Sequence, residues 1–311
     1  MRFTILQGIS LSTEFQKFSA GDFVSLPATA LGTASTTYVP ESRCPGVIVR
    51  TPVDDEDKYS VLLADSRTIR LSEKALEPWP HPDLENPHLF DFRNHIVYSA
   101  VVGSRAYGLE TRNSDTDIRG VYLAPVRTVL SMGGFPGQFE DHHNQSCHWE
   151  LQKFLTLLCQ SNPTALETLF SPDPTCHSQL ADELRTNRQR FLSRQILQTF
   201  HGYADRQFLK MQRDLRTHDA VRWKHAMHLI RLLISGTETL QSGNLILNVA
   251  HHRQQLLDIK NGLLSFDQVT RLKNELSAAF NDAASHSPLP DTPDSSFANS
   301  FLINSRISSL N

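Results

Sequence analysis

Four cysteines in 311 residues, Cys44, Cys147, Cys159 and Cys176, never approach a CxxC spacing. That removes zinc ribbons and thioredoxin-type redox sites and leaves ordinary reduced thiols. An excess of one charge is also missing: 30 Lys+Arg stand against 33 Asp+Glu, with 39% hydrophobic and 20% charged residues. Neither a disordered chain nor a uniformly basic nucleic-acid coat is encoded, so any contact with nucleic acid must be a local patch. No run of about 18 apolar residues occurs, and the start MRFTILQGISLSTEF lacks a basic n-region, an h-region and a cleavage site. The expectation is a cytoplasmic protein with no membrane partner. Fourteen histidines are many, yet HExxH is absent and His251-His252 is followed by no acidic partner at ligand spacing, which reads as polar surface.

Internal repeats are absent as well, and the length suits two domains, or one large one with an appendage, at roughly 150 residues per domain. Residues 17–80 carry short runs, Gly21–Leu26, Gly46–Arg50, Tyr59–Leu63 and Thr68–Leu71, separated by Pro, Gly and Asp clusters such as Asp54, Asp55 and Asp57. This spacing suggests a small β-barrel closing at Leu76–Trp79, similar to SH3-like or Tudor-like barrels. Three prolines between Pro80 and Pro87 block helix and sheet alike and mark the domain boundary. Beyond it, Ile96–Val102 reads as a strand buried on both faces, and Thr116–Leu123 as a second strand with alternating apolar positions. Helical periodicity starts at Trp149 and dominates residues 179–284, with a stripe at Ala226, Leu229, Ile230, Leu233 and Ile234 and breaks flanked by Gly236 and Gly243. After a proline-rich linker from His286, Phe297, Phe301, Leu302, Ile307 and Leu310 fit either a docked final helix or a frayed tail. The expected division is 1–83 barrel, 84–195 core and 196–311 helical region.

The chemistry concentrates in one segment. Gly103-Ser104 is followed, after ten intervening residues, by Asp115-Thr116-Asp117. Residues i and i+2 of a strand share a face, so the two carboxylates converge with Cα atoms about 6 to 7 Å apart. Mg²⁺, with Mn²⁺ as the alternative, relieves their repulsion and bridges to substrate phosphates. Gly-Ser at a strand-to-helix junction supplies backbone N–H groups and a hydroxyl to phosphate oxygens.

A Gly-Ser turn facing a DxD pair resembles the DNA polymerase beta superfamily of nucleotidyltransferases. The blocks GSRAYGLETRNSDTDIRGVYLAP, HWELQKFLTLLCQSNPTALETLFSP, KHAMHLIRLLISGTETLQSG and LLDIKNGLLSFDQV extend the resemblance to the RNA-repair-associated, RlaP or YcgL type, over about residues 92 to 295. The resemblance implies an α+β fold, a mixed catalytic sheet closed by C-terminal helices. It also implies transfer of a nucleoside monophosphate from an NTP, ATP included, to a hydroxyl acceptor such as an RNA end or a tRNA-like molecule. Asp115 and Asp117 become the metal ligands. Glu150 becomes the third catalytic carboxylate and metal ligand, in a block where Trp149 replaces the family's tyrosine, with Glu140 and Asp141 as alternatives. Gly103, Ser104 and Arg105 are expected on the triphosphate, Lys224 and His228 on phosphate or base, and Arg119 orienting the carboxylates. Asn162-Pro163, with Glu167, reads as a structural helix start. Arg185, Arg188, Arg190 and Arg194, with Arg206, Lys210, Arg213 and Arg216, offer a local positive groove for nucleic acid. Two alternatives stay open: transfer of AMP to a protein, as in antitoxin-type relatives, and a catalytically inactive nucleotide- or RNA-binding module.

Overall fold

A computed structural model describes residues 18–27, 30, 43–53, 58–79, 89–112, 114–218 and 222–310. The proline-rich boundary segment and the Asp54–Asp57 turn therefore lie outside the described residues. The strands are β1 (Phe23–Pro27), β2 (Arg43–Arg50), β3 (Lys58–Leu63), β4 (Thr68–Ser72), β5 (Glu77–Pro78), β6 (Ile96–Val102), β7 (Asp117–Tyr122), β8 (Gln138–Asp141), β9 (Ser146–Glu150) and β10 (Pro174–His177). The helices are α1 (Val126–Val129), α2 (Leu151–Cys159), α3 (Pro163–Phe170), α4 (Gln179–Thr186), α5 (Ile196–His218), α6 (Trp223–Ser242), α7 (Arg253–Lys260), α8 (Phe266–Ser285) and α9 (Ser295–Ser308). The fold is α+β. None of the described helices is long and apolar enough to cross a membrane.

The central part of the sheet runs β10-β6-β7-β9-β8, with β7 and β9 parallel and the other neighbours antiparallel. Its two faces meet different partners, which is why Ile96–Val102 reads as continuously apolar. Tyr98, Ala100, Val121 and Trp149 face the helices in the largest core. Tyr122 and Phe139 lie in a second core with Val47 of β2 and Ala20 just before β1. There Phe92 stacks on Phe139 at 4.2 Å.

The N-terminal strands join the same sheet. Arg50 of β2 pairs in parallel with Glu140 of β8, Thr51 N–H donates to the Glu140 carbonyl (3.1 Å), and Ala20 N–H donates to the Asp141 carboxylate (3.2 Å). The N-terminal segment is thus braced on the core by shared apolar surface and by backbone hydrogen bonds. Truncating the chain to begin at residue 84 should uncover the Phe92, Tyr122 and Phe139 surface and give an insoluble product, checked by expression and sedimentation. A soluble, folded fragment would show instead that the N-terminal strands are a dispensable module.

Within α6 the apolar stripe Ala226, Leu229, Ile230, Leu233 and Ile234 is buried as expected. Gly236 is no break: it sits inside the helix where Phe280 of α8 packs so closely that a Cβ would lie 2.6 Å from the ring. The helix stops at Gly243, whose φ of +71° forms its left-handed cap.

Of the C-terminal apolar positions, Phe297, Phe301 and Leu302 lie in α9, a docked helix that buries Ala298 and Phe301, whereas Ile307 near its end and Leu310 beyond it are exposed. Its Arg306 donates to Glu150 at 2.6 Å, and Glu150 is 0% exposed. The same carboxylate accepts from Ala124 N–H (3.2 Å) and caps α2 by accepting from Gln152 N–H (2.7 Å). Removing one partner of a buried pair strands the other charge, so Arg306→Ala should cost about 3 to 5 kcal/mol in chemical denaturation. A metal-ligand role for Glu150 requires the opposite pattern, with stability kept.

Candidate active site

β6 and β7 are in register at Val102 and Asp117, so the turn leaving β6 and the carboxylates entering β7 meet at one end of the sheet. Gly103 there has φ +71°, and a Cβ on it would lie 2.4 Å from Asp117 Oδ2. Only glycine lets the turn pass this close to the carboxylate. Asp117, Arg119 and Val121 alternate onto the helix-facing side of β7. Above that side lies a cavity of about 590 Å³ between the sheet and α3, α5, α6 and α7.

Seven of the expected site residues line this cavity: Gly103, Ser104, Asp115, Asp117, Arg119, Lys224 and His228. Asp115 is exposed and Asp117 half-buried, and neither forms an ion pair with a described residue. Facing them, Lys210 from α5, Lys224 from α6 and Lys260 from α7 also lack carboxylate partners among the described residues. Burial, reinforced by Arg231 and Lys224, pulls the His228 imidazole down to about 3, so this ring is neutral near pH 7. His225 is lowered for similar reasons, burial first and Lys210 next. One wall thus carries unpaired carboxylates and the other unpaired ammonium groups.

Between the walls lies a buried group that sequence reasoning treated only as structural. Glu167 of α3 accepts from Tyr107 Oη at 2.5 Å and pairs with Arg231 of α6 at 2.7 Å. The Arg231 guanidinium lies 3.7 Å from the centre of the Tyr107 ring. Burial, ahead of the nearby charges, holds the Tyr107 phenol well above its usual range. Arg231 donates to Glu167 through Nη1, while its buried Nε has no hydrogen-bond partner among the described residues. Asn162 does act as the α3 N-cap, accepting from Ala165 N–H at 3.1 Å.

Several expected residues make contacts the sequence did not suggest, and Arg105 and Glu150 lie outside the cavity. Arg105 is exposed, lies outside the cavity lining, and donates to the Ser114 carbonyl at 3.2 Å, which ties down the loop ahead of Asp115. Arg119 lines the cavity but donates to the carbonyls of Ile118 (2.8 Å) and Gln145 (3.2 Å), not to the aspartates. Glu150 is corrected on two grounds. It pairs with Tyr122, five residues along the parallel strands from Asp117 or about 16 Å, and it shares the opposite face with His148. Of its alternatives, Glu140 pairs with Arg50 (3.1 Å), and Asp141 is buried on the N–H groups of Ala20 and Asn144. At the entry of β9 beside Asp117 stands Gln145, whose carbonyl accepts from Ile118 N–H. Cys147 follows, its thiol pushed up to about 12 by burial. Among the described residues no third carboxylate joins the aspartate pair.

The basic cluster divides. Arg185 donates to Tyr98 Oη and the Ser171 carbonyl, Arg188 lies over the Phe170 ring, Arg190 pairs with Asp294, and Arg194 holds the Leu289 carbonyl. These four are engaged in holding neighbouring segments of the fold together, and from the second group only Lys210 reaches the cavity.

A stretch of the chain is 36% identical over 83 residues to "Uncharacterized protein YcgL" of Bacillus subtilis (strain 168), covering 24% of this chain and 30% of that protein. The chain thus spans under a third of that relative's length. The profile of a family described as RlaP, the RNA repair pathway DNA polymerase beta family, matches residues 83–304. That range takes in the whole cavity and well over half the sequence. The chain belongs to the RNA repair pathway DNA polymerase beta family.

Proposed function

We propose that the cavity binds an NTP and transfers its nucleoside monophosphate to a hydroxyl of RNA. The observation that carries this reading is the pairing of two unengaged aspartates with three unengaged lysines across a Gly-Ser turn. A triphosphate complements both walls at once, with its oxygens towards Ser104, Lys210, Lys224 and Lys260. RNA as acceptor is supported by the family.

The donor set at Asp115 and Asp117 is hard oxygen, and the missing Cβ of Gly103 leaves Asp117 Oδ2 open, so the pair fits Mg²⁺ or Mn²⁺. When bound, such an ion neutralises phosphate charge and orients the leaving pyrophosphate. The chain's own residues do the rest. The Gly103-Ser104 turn and the lysines fix the β and γ phosphates, so that the acceptor oxygen attacks the α phosphorus in line with the departing pyrophosphate. Neutral His228 serves as a hydrogen-bond partner that adds no charge. With no third carboxylate beside the aspartate pair among the described residues, Asp117 is left to take the acceptor proton.

The same shortage favours a second reading, an NTP- and RNA-binding module without turnover. Incubation with each α-labelled NTP, Mg²⁺ and RNA tests both. Labelled RNA establishes transfer, whereas saturable NTP binding without label establishes the module.

Asp117→Asn should abolish transfer and leave metal-free thermal stability unchanged or raised, because it removes one of two repelling charges. Gly103→Ala should reduce transfer as severely by displacing Asp117, and should cost about 1 to 2 kcal/mol for a left-handed non-glycine residue. Steady-state labelling and thermal melts measure both.

The lysine wall gives a test with opposing signs. Lys224→Met or Lys260→Met should raise the KM for NTP roughly ten- to a hundred-fold, the loss expected for a charge-assisted hydrogen bond. Each should also raise the melting temperature of the ligand-free protein by relieving like-charge repulsion. A variant with unchanged KM removes that lysine from the triphosphate site.

A further inference from the structure

A second cluster lies outside the cavity. Glu238 of α6 meets His251 and His252, which occupy the short 3-10 turn between α6 and α7. The His251 Nε2 is 3.1 Å and the His252 Nε2 3.6 Å from the same atom, Glu238 Oε1, and one potential ligand atom from each residue lies within 4.8 Å of the others. The imidazole centres are 4.4 Å apart. Two nitrogens aimed at one carboxylate oxygen leave little for each other except shared charge.

We infer that Glu238, His251 and His252 form a binding site for a borderline divalent cation, of which Zn²⁺ is the best fit. Three arguments support it. Bonds of about 2.0 to 2.1 Å around a tetrahedral ion put neighbouring ligand atoms about 3.3 Å apart, and the two nitrogen-to-oxygen separations bracket that value. Two imidazoles with one carboxylate suit zinc, cobalt or nickel, whereas the all-oxygen pair at Asp115 and Asp117 suits magnesium. The exposure of His251 leaves a fourth position open to water.

The site's place in the fold gives it a structural task. Next to the histidines, Val249 N–H donates to the Tyr107 carbonyl at 3.1 Å. Arg253, directly after them, donates to the carbonyls of Gly108 (2.9 Å) and Glu110 (3.0 Å). The turn between α6 and α7 therefore grips the loop that begins at Gly103-Ser104. An ion held between α6 and this turn clamps that loop from behind, without touching substrate. Metal binding itself requires no NTP and stands apart from the proposed reaction.

The test uses the full-length protein stripped of metal by chelator. Addition of Co²⁺ should produce the visible bands of a tetrahedral cobalt centre at one equivalent, Zn²⁺ should bleach them, and Zn²⁺ should raise the melting temperature. His252→Ala and Glu238→Gln should each weaken cobalt binding by about a hundred-fold or more, while Asp117→Asn keeps it. Hydrogen exchange at Val249 should slow when Zn²⁺ binds. Absence of bands and of thermal stabilisation, or bands that survive both ligand variants, would overturn the site. Unchanged exchange at Val249 with Zn²⁺ bound would overturn the clamp.

Discussion

Glu167 holds three walls of the cavity in one arrangement. Its carboxylate receives the Tyr107 hydroxyl from the turn-bearing loop and the Arg231 guanidinium from α6, while its own backbone belongs to α3. Both charges are almost entirely removed from water, an arrangement whose desolvation cost is offset only if the hydrogen bonds are well made. The stacking of Arg231 on Tyr107 adds to that compensation on the aromatic side. Because the floor is self-neutralising, the fields of the aspartate wall and the lysine wall are not cancelled between them. A polyanion entering the cleft meets a positive side and a metal-seeking side, each intact.

Much of this was legible in the sequence where the signal is local. The apolar run before Gly103-Ser104 and the i, i+2 aspartates identify the two central strands and one end of the cleft, because strand alternation and turn chemistry act over a few residues. The α6 stripe was legible for the same reason, and Lys224 and His228 sit beside it at helical spacing. Glu150 failed because proximity in sequence says nothing about which end of a parallel strand a residue occupies. A carboxylate one strand-length along is as remote as one in another domain, and its partner, Arg306, lies 156 positions later. Gly236 read as a break because a glycine demanded by a neighbouring ring looks the same as one demanded by a turn.

The histidine pair shows the converse limit. A search forward from His251-His252 finds no acidic ligand, yet Glu238 lies thirteen positions before it, at the far side of a glycine-capped helix end. Only the reversal of chain direction after Gly243 brings the three together. Arginine-rich stretches mislead in a similar way. Charge density along the sequence counts residues such as Arg185 and Arg190 that the fold has already engaged, and it passes over Lys260, which lies outside any basic run and reaches the cavity.

The contact between Arg306 and Glu150 also sets an order of events during synthesis. The strand carrying Glu150, its neighbours and α2 leave the ribosome long before the arginine that neutralises them. Until α9 emerges, the core holds a carboxylate whose charge is answered only by peptide N–H groups, and its sheet stays less stable than in the finished molecule. Non-local pairings of this kind slow folding, and they leave partly made chains exposed to aggregation and dependent on chaperones. Helix α9 thus acts as a latch: the sheet around Glu150 reaches its full stability only once Arg306 has been translated.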